Sequence, residues 1–269
     1  MKGKVHIQTS LRNNITFLKK AYCTPPFKVG NITEDKKNKV LRLMLMSSSP
    51  GILDGDHYRI KVDIGENNEL VLSSQSYQRL FAMQKGASQE IIVTIGNGGT
   101  FFYLPHPCVP HRSSSFVSRN KFYLDKNSTL LWGEVLTCGR KLSGEAFQFS
   151  RYQSISEIYF ENKLMIKENL LVEPSVTDMN AIGQLEGFTH QASLIYLNEK
   201  VNVKELIKSV TDYLTDSTHQ DFEFGITPAI KNGIIIRLLG NKAEQLFDYL
   251  QLVAKNFCCQ APPIIASLI

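Results

Sequence analysis

Two acidic residues and an arginine stand close together in LWGEVLTCGRKLSGEAFQF, residues 131–149. Glu134 follows a tryptophan and a glycine and precedes two apolar residues, so its carboxylate interrupts a hydrophobic run. Burying a carboxylate without a partner costs several kcal/mol, which makes Arg140 and nearby backbone amides the first partners to expect. With Glu145, these residues could form a structural network, a polar conduit or a site.

Soft and borderline metal ligands are concentrated in LPHPCVPHR, residues 104–112. It contains His106, Cys108 and His111, which offer two imidazoles and a sulfur atom. Residues two apart in an extended chain share a face, so His106 and Cys108 can converge, whereas His111 need not. We therefore treat these three residues as candidate metal ligands.

Asp54, Asp56 and His57 offer a second possible metal site in PGILDGDHY, residues 50–58. The alternative is a tight turn in which an aspartate accepts hydrogen bonds from backbone amides. Farther along, Ser74 and Gln75 lie in a polar run without the GxSxG pattern of a nucleophilic serine. We interpret that run as part of a turn or polar network.

Four carboxylates lie in segments that read as β-structure, namely Asp56, Glu134, Glu145 and Glu168. Paired carboxylates also serve glycosidases, which hold them at set separations across a cleft. The chain has a single tryptophan, beside an apolar run, so the aromatic platform for a sugar is missing. A glycosidase is therefore disfavoured.

The elements that position these residues are mostly strands. Residues 1–199 are rich in short β-branched and aromatic runs bounded by Gly, Asn, Asp and Pro, which predicts stacked sheets with many tight turns. In particular, residues 131–149 are predicted to form a strand, a sharp turn and a second strand, with that second strand spanning 145–160. Helical spacing of apolar residues then predicts helices over 202–214 and 241–257, with a buried strand over 233–240 between them.

Composition narrows the class of protein. The chain has 269 residues, of which 43% are hydrophobic and 20% charged, and no run approaches the roughly 20 apolar residues of a membrane span. The N-terminus has no signal-peptide core, and the five cysteines, including the adjacent Cys258 and Cys259, form no CxxC pair. We expect a cytoplasmic protein with reduced thiols.

The charge distribution and the C-terminal tail bear on the partners of the protein. The net charge of +5 is spread along the chain, so we expect neither nucleic acid nor membrane as a partner. The apolar tail APPIIASLI, residues 261–269, either docks on the body of the protein or inserts into a partner.

Four motifs in order resemble the urease accessory proteins of the UreD/UreH type. They are PGILDGDHYRIKVDIG (50–65), LVLSSQSYQRL (70–80), FFYLPHPCVPH (101–111) and LWGEVLTCGRKLSGEAF (131–147). The resemblance spans about residues 22–200. It implies a single domain over 1–269, mainly β, with an elongated stacked-sheet or helical β body over about 1–199 and a two-helix part over about 200–269.

The resemblance also implies a function without catalysis. Such proteins act with a helical accessory protein of the UreF type and a GTPase of the UreG type, and deliver nickel to apo-urease, with a dimer of heterocomplexes as one assembly. Nickel would pass transiently through an internal polar tunnel, with no tightly bound cofactor. By motif match, Asp56, Glu134, Glu145 and Glu168 would line the path, and Ser74, Gln75 and Arg140 would form the supporting polar network.

Two alternatives remain open at this point. One is a β-rich metallohydrolase that uses Asp56, His106 and His111, although no HExxH-type ligand pair is present. The other is an assembly adaptor that recruits the partner proteins and never contacts nickel.

Overall fold

A computed structural model of the chain describes residues 1–215 and 221–257. Within these ranges the protein is mainly β, with two sheets and two helices near the C-terminal end, as the sequence predicts. The Cys258–Cys259 pair and the apolar tail lie outside the described residues. In the described ranges, no helix is long and apolar enough to cross a bilayer.

The strands in chain order are β1 (Lys2–Arg12), β2 (Ile15–Cys23), β3 (Phe27–Asn31), β4 (Val40–Ser47), β5 (His57–Ile64), β6 (Glu69–Ser74), β7 (Gln78–Leu80), β8 (Ala87–Ile95), β9 (Thr100–Tyr103), β10 (Cys108–Pro110), β11 (Ser115–Leu124), β12 (Thr129–Thr137), β13 (Arg151–Phe160), β14 (Lys163–Val172), β15 (His190–Asn198), β16 (Phe222–Ala229) and β17 (Gly233–Gly240). The helices are α1 (Val203–Thr215) and α2 (Ala243–Phe257).

The strands form two sheets that face each other across a shared core. The first sheet has the order β14-β13-β11-β8-β5-β1-β2, with parallel pairs in its middle and an antiparallel hairpin at each edge. The second has the order β16-β17-β15-β12-β9-β6-β4-β3, with β7 and β10 joined near the end of β12. Here β4, β6, β9 and β12 are parallel, and the outer strands are antiparallel.

The middle of the chain winds as a coil between these sheets. From β4 to β13, the longer strands alternate between the second and the first sheet, so each turn of the coil adds one strand to both. The turns lie one above another, because the amide of Asn67 donates to the carbonyl of Asn97 at 2.9 Å and that of Gly98 to Lys126 at 3.0 Å. Asn67, Gly98 and Asn127 have φ of 55°, 67° and 56°, a conformation that Asn and Gly tolerate best.

Alternation along each strand places one face between the sheets. On β5, Tyr58, Ile60, Val62 and Ile64 are all buried, as the period of the sequence predicts. The helices cover the outer face of the second sheet: Leu246 and Leu250 of α2 are buried in one cluster with Ile234 and Ile236 of β17. Burial of each such side chain contributes about 1.5–3 kcal/mol.

The predicted hairpin over 131–149 is wrong. β12 ends at Thr137 in the second sheet, and the next strand begins only at Arg151, in the first sheet. The intervening segment contains a 3₁₀ turn, Lys141–Ser143, and glycines with positive φ at Gly139 (119°) and Gly144 (76°). Glycines in such conformations break a strand, and the polar residues here turn the chain across to the other sheet.

Candidate functional site

Glu134 points into the space between the two sheets. Its neighbour two residues back, Trp132, belongs to the core between the sheets, whereas Leu131 and Val135 pack toward the helices. Because strand residues alternate between faces, Glu134 shares the inner face with Trp132. The sequence therefore places a partly buried carboxylate between the sheets, in the middle of an otherwise apolar strand.

A serine from the opposite sheet stabilises this carboxylate. The Ser154 hydroxyl, on β13, donates a hydrogen bond of 2.6 Å to Glu134 Oε1. Burial raises the pKa of Glu134 to about 7; the bond from Ser154 opposes this shift, and the negative charge of Glu168 adds to it. Such a carboxyl exchanges its proton near neutral pH, so it can be neutral alone and anionic beside a cation.

Two rows of polar residues run across the facing sheets at this level. In the second sheet, Glu134 of β12 pairs in register with Ser193 of β15, and Ser193 pairs with Arg237 of β17. In the first sheet, Asn120 of β11 pairs with Ser156 of β13, which pairs with Glu168 of β14. Paired residues on neighbouring strands project to the same face, so each row forms a continuous polar stripe.

Hydrogen bonds join the two rows across the core. The Trp132 ring nitrogen, in the second sheet, donates across the core to the Ser156 hydroxyl at 3.1 Å. Within the first sheet, Asn120 donates to the hydroxyls of Ser154 (3.2 Å) and Ser156 (3.1 Å). Near the sheet edge, Arg237 Nη2 donates to Glu168 Oε2 at 2.7 Å. Together with the Ser154–Glu134 bond, these contacts form one polar layer that crosses the protein between apolar layers.

A cavity of about 130 Å³, which we call the inner cavity, lies between the sheets on the side of β4, β5, β8 and β9. Beside Glu134, its polar lining includes Ser74, Gln75, Gln78, Gln89, His106 and Cys108. A second space of about 550 Å³, the outer groove, lies on the side of β14 to β17 and is lined by Glu134, Glu168, Glu223 and Arg237, among others.

Glu134 and Tyr152 line both spaces. Glu134 is on β12 and Tyr152 on β13. In its own sheet, each of these strands lies between the strands that line the inner cavity and those that line the outer groove. A small ion that moved from the inner cavity to the outer groove would therefore pass these two side chains. The arrangement is a potential passage across the protein, with a titratable carboxylate at its middle.

Ser74 and Gln75 lie in the wall of the inner cavity. The Ser74 hydroxyl accepts a hydrogen bond from the backbone amide of His106 at 2.8 Å and lies 2.9 Å from His106 Nδ1. Burial lowers the pKa of His106 and so favours the neutral imidazole, the form that can bind a metal ion. These residues place one nitrogen ligand near the cavity wall.

The three candidate ligands of residues 104–112 are only partly brought together. His106 and Cys108 both line the inner cavity, and burial and the nearby Glu134 raise the pKa of the Cys108 thiol. His111 instead packs on Phe81, with ring centroids 4.9 Å apart. Among the described residues, no group of three or more His, Cys, Asp or Glu side chains is arranged to hold a metal ion.

Asp56 is held in a network behind the cavity wall. Its carboxylate accepts hydrogen bonds from the Met1 ammonium (2.6 Å), the Leu53 amide (2.9 Å) and the Tyr58 hydroxyl (2.7 Å). Burial would raise the pKa of Asp56, but these three donors hold it below its usual value. Tyr58 itself lines the inner cavity, so Asp56 lies one hydrogen bond behind that wall.

Glu145 and Arg140 form an ion pair in the loop after β12. Arg140 Nε donates to Glu145 Oε2 at 2.9 Å, Arg140 Nη2 donates to Glu145 Oε1, and the Arg112 amide donates to Oε2 at 3.3 Å. The Arg140 guanidinium is the main cause that lowers the pKa of Glu145 to about 2. This pair closes the loop that carries the chain from one sheet to the other.

The sequence did not reveal Tyr152, which lines both spaces, or most members of the polar layer, namely Asn120, Trp132, Ser154, Ser156, Ser193 and Arg237. For Asn120, Ser154 and Ser156 a signal was present, because they are small polar residues at inward positions of β11 and β13. Along β13, Tyr152, Ser154, Ser156 and Ile158 are all buried, and two of these four inward side chains are serines.

Comparison with known proteins supplies a family. A family model described as UreD urease accessory protein matches residues 1–264. The urease accessory protein UreD of Flavobacterium johnsoniae is 43% identical over 95% of this chain and 92% of its own length. Those of Acetivibrio thermocellus and Actinobacillus pleuropneumoniae serotype 5b are 33% and 31% identical, over 93% and 95% of this chain and 95% and 98% of their own lengths.

Proposed function

Because the chain belongs to the UreD family of urease accessory proteins, we propose that it delivers nickel during urease maturation through the polar passage past Glu134. The family is one of accessory proteins rather than enzymes, which removes the metallohydrolase alternative. Consistent with this, Asp56, His106 and His111 lie in three different local environments. The chain would carry no tightly bound cofactor, and nickel would be its transient cargo.

One observation carries this proposal: Glu134 lines both the inner cavity and the outer groove. Ni²⁺ is costly to dehydrate, so a path through a protein needs polar or anionic groups at intervals. His106 and Ser74 lie at the inner cavity, Glu134 at the boundary, and Glu168 in the outer groove. Imidazole and carboxylate both suit this metal.

Weak, separated ligands fit transfer better than storage. An ion must bind well enough to enter a path and weakly enough to leave it. Ligands that are spaced along the passage, rather than clustered as a closed site, meet that requirement. The pKa of Glu134, about 7, adds a means of charge balance, since the carboxyl can release its proton as the cation arrives.

The partners would be a helical accessory protein of the UreF type, a GTPase of the UreG type and apo-urease. Each end of the passage would meet one of them in the assembled complex, which could pair into a dimer of heterocomplexes. A protein that only assembled these partners would need no polar layer through its core. Burying polar groups costs free energy unless each is paired, and a carboxylate costs the most.

The test is co-expression of apo-urease and the other accessory proteins with the wild-type chain, without it, or with Glu134→Gln. The substitution keeps the volume of the side chain and an oxygen that can accept the Ser154 hydrogen bond, and it removes the charge. We expect urease activity and nickel content to depend on the chain and to fall severalfold with Glu134→Gln, while the complex still assembles.

The matched control is Glu90→Gln, because the Glu90 carboxylate pairs with Arg59 at 3.0 Å and lies outside both spaces. It should activate urease like the wild type. Full activation with Glu134→Gln, at equal amounts of complex, would favour an adaptor that never contacts nickel.

A further inference from the structure

Arg237 connects the two sheets across the outer groove. Its Nη2 atom lies 2.7 Å from Glu168 Oε2, so an arginine of β17 in the second sheet pairs with a glutamate of β14 at the edge of the first. About half of the arginine side chain is exposed, 54%, and the glutamate is 35% exposed. The ion pair thus bridges the groove at its solvent-accessible side.

Arg237 also belongs to the row that contains Glu134. The two residues lie on the same face, two strands apart, through the register pairs Glu134–Ser193 and Ser193–Arg237. Strands are spaced about 4.8 Å apart, which puts the two positions roughly 10 Å from each other. Besides Arg237, the charged residues that line the groove are Glu134, Glu168 and Glu223. The guanidinium is therefore set among carboxylates.

An arginine has the properties of a built-in competitor for a metal ion. Its guanidinium keeps its positive charge at all physiological pH values, and its flexible stem lets a half-exposed head move between the carboxylate and water. A metal ion that binds Glu168 Oε2 must displace this cation. When the metal leaves, the guanidinium can return and restore the charge balance of the carboxylate.

We propose that Arg237 is a tethered counter-ion that competes with nickel for Glu168 and so keeps the outer groove from retaining the metal. This role rests on the proposed passage of nickel through the chain. Without Arg237, Glu168 and Glu223 would lose the one cation among the described residues that line the groove, and the groove would bind a divalent cation more tightly. With it, Glu168 remains a weak, exchangeable ligand at the end of the path.

The experiment uses the full chain, co-purified with its accessory partners and loaded with Ni²⁺ alone. Wild type, Arg237→Gln, Arg237→Lys and Glu168→Gln are compared by nickel affinity in equilibrium dialysis and by the rate of nickel release to a chelator. We expect Arg237→Gln to bind nickel two- to fivefold more tightly and release it more slowly, in line with an exposed ion pair. A damaged fold would not increase affinity.

Arg237→Lys and one additional double variant separate charge from structure. Arg237→Lys keeps the competing charge and should behave like the wild type. Arg237→Gln combined with Glu168→Gln should not show the gain in nickel affinity, because the carboxylate for which arginine and nickel compete is then absent.

The outcomes separate this proposal from the proposed function. Unchanged or weaker nickel binding in Arg237→Gln, with Glu168→Gln still impaired in nickel binding, would overturn the counter-ion role and leave the passage standing. If Glu134→Gln and Glu168→Gln both bind and transfer nickel like the wild type, the passage itself is wrong.

Discussion

The Ser154 hydroxyl reaches from one sheet to the Glu134 carboxylate of the other, over 2.6 Å. This bond joins the two sheets beside the boundary between the inner cavity and the outer groove. Among the described residues, Glu134 is the one carboxylate that lines both spaces. It also favours the ionised form of this partly buried carboxyl, whereas its burial favours the protonated form. The proposed function therefore depends on a serine that has no ligand role of its own.

Ser154→Ala should raise the pKa of Glu134 further, because it removes a donor to the carboxylate. Hydrogen bonds to charged groups contribute about 1.5–3 kcal/mol, so we expect the pH dependence of nickel transfer to move upward by about one unit or more. Nickel transferred to urease, measured across a pH series, tests this. Ser156→Ala is the matched control, since Ser156 bonds Trp132 and Asn120 instead; equal shifts in both variants would count against the assignment.

Glu134 should also make the stability of the protein depend on pH in a definite direction. Its pKa is raised from 4.5 to about 7, so between these values the folded state binds more protons than the unfolded state. The free energy of unfolding must then fall as pH rises through this window. At about 1.4 kcal/mol per pKa unit, the full effect is roughly 3 kcal/mol.

Glu134→Gln removes this pH dependence of the free energy of unfolding. The difference in unfolding free energy between wild type and variant therefore isolates the contribution of Glu134. Burial lowers the pKa of His190 to about 4, which has the opposite effect on stability, but both proteins share it. Denaturant unfolding at pH 5 and pH 8 should show the wild type losing stability relative to the variant. Parallel stability curves would mean that Glu134 titrates normally.

The loop after β12 depends on a glycine. Gly139 has φ of 119°, and a Cβ atom there would lie 2.9 Å from the carbonyl oxygens of both Glu145 and Pro110. We expect Gly139→Ala to lower the free energy of unfolding by roughly 2–3 kcal/mol, measured by thermal or denaturant unfolding. Gly144, with φ of 76° and open space around it, is the control and should cost about 1 kcal/mol. A smaller loss at Gly139 than at Gly144 would refute the crowding argument.

A substitution at Asp56 tests whether this residue stabilises the fold or lines the proposed nickel path. Asp56→Asn weakens the contacts to Met1, Leu53 and Tyr58, so we expect a loss of about 1–3 kcal/mol in stability. Because the pKa of Asp56 is lowered in the fold, this contribution exists above its unfolded value of 3.8 and disappears as pH falls below it. Nickel transfer per folded molecule should not change. A specific loss of transfer would place Asp56 on the path, as the sequence predicts.

Much of the fold could be predicted from the sequence because the patterns are local. Period-two alternation identifies β5 and its neighbours, and helical spacing identifies α1 and α2 within a few residues. The coil between the two sheets, in contrast, depends on pairing between strands that are distant in sequence. Parallel pairing of β5 with β8, for example, joins residues about thirty positions apart and leaves no short-range signal. The hairpin prediction failed for this reason, since β12 and β13 are neighbours in sequence but not in a sheet.

The site could be predicted only in part. The motif match identified Glu134 and Glu168, which the structure places on one groove, and Ser74 and Gln75, which line the inner cavity. It also grouped Glu145 and Arg140 with them, although these form an ion pair in a loop. Arg237 was missed because its role depends on the distance between the edges of two sheets. Whether each of these residues contacts nickel stays a prediction.

The passage of nickel beside position 134 can be observed directly with Glu134→Cys. A thiolate binds nickel more firmly than a carboxylate and gives a sulfur-to-nickel charge-transfer absorption. The measurement is the absorption difference between variant and wild-type complexes, with Glu90→Cys as control, while nickel is transferred to apo-urease. We predict a charge-transfer band for Glu134→Cys alone, together with slower transfer. Normal transfer without any such band would contradict passage beside Glu134.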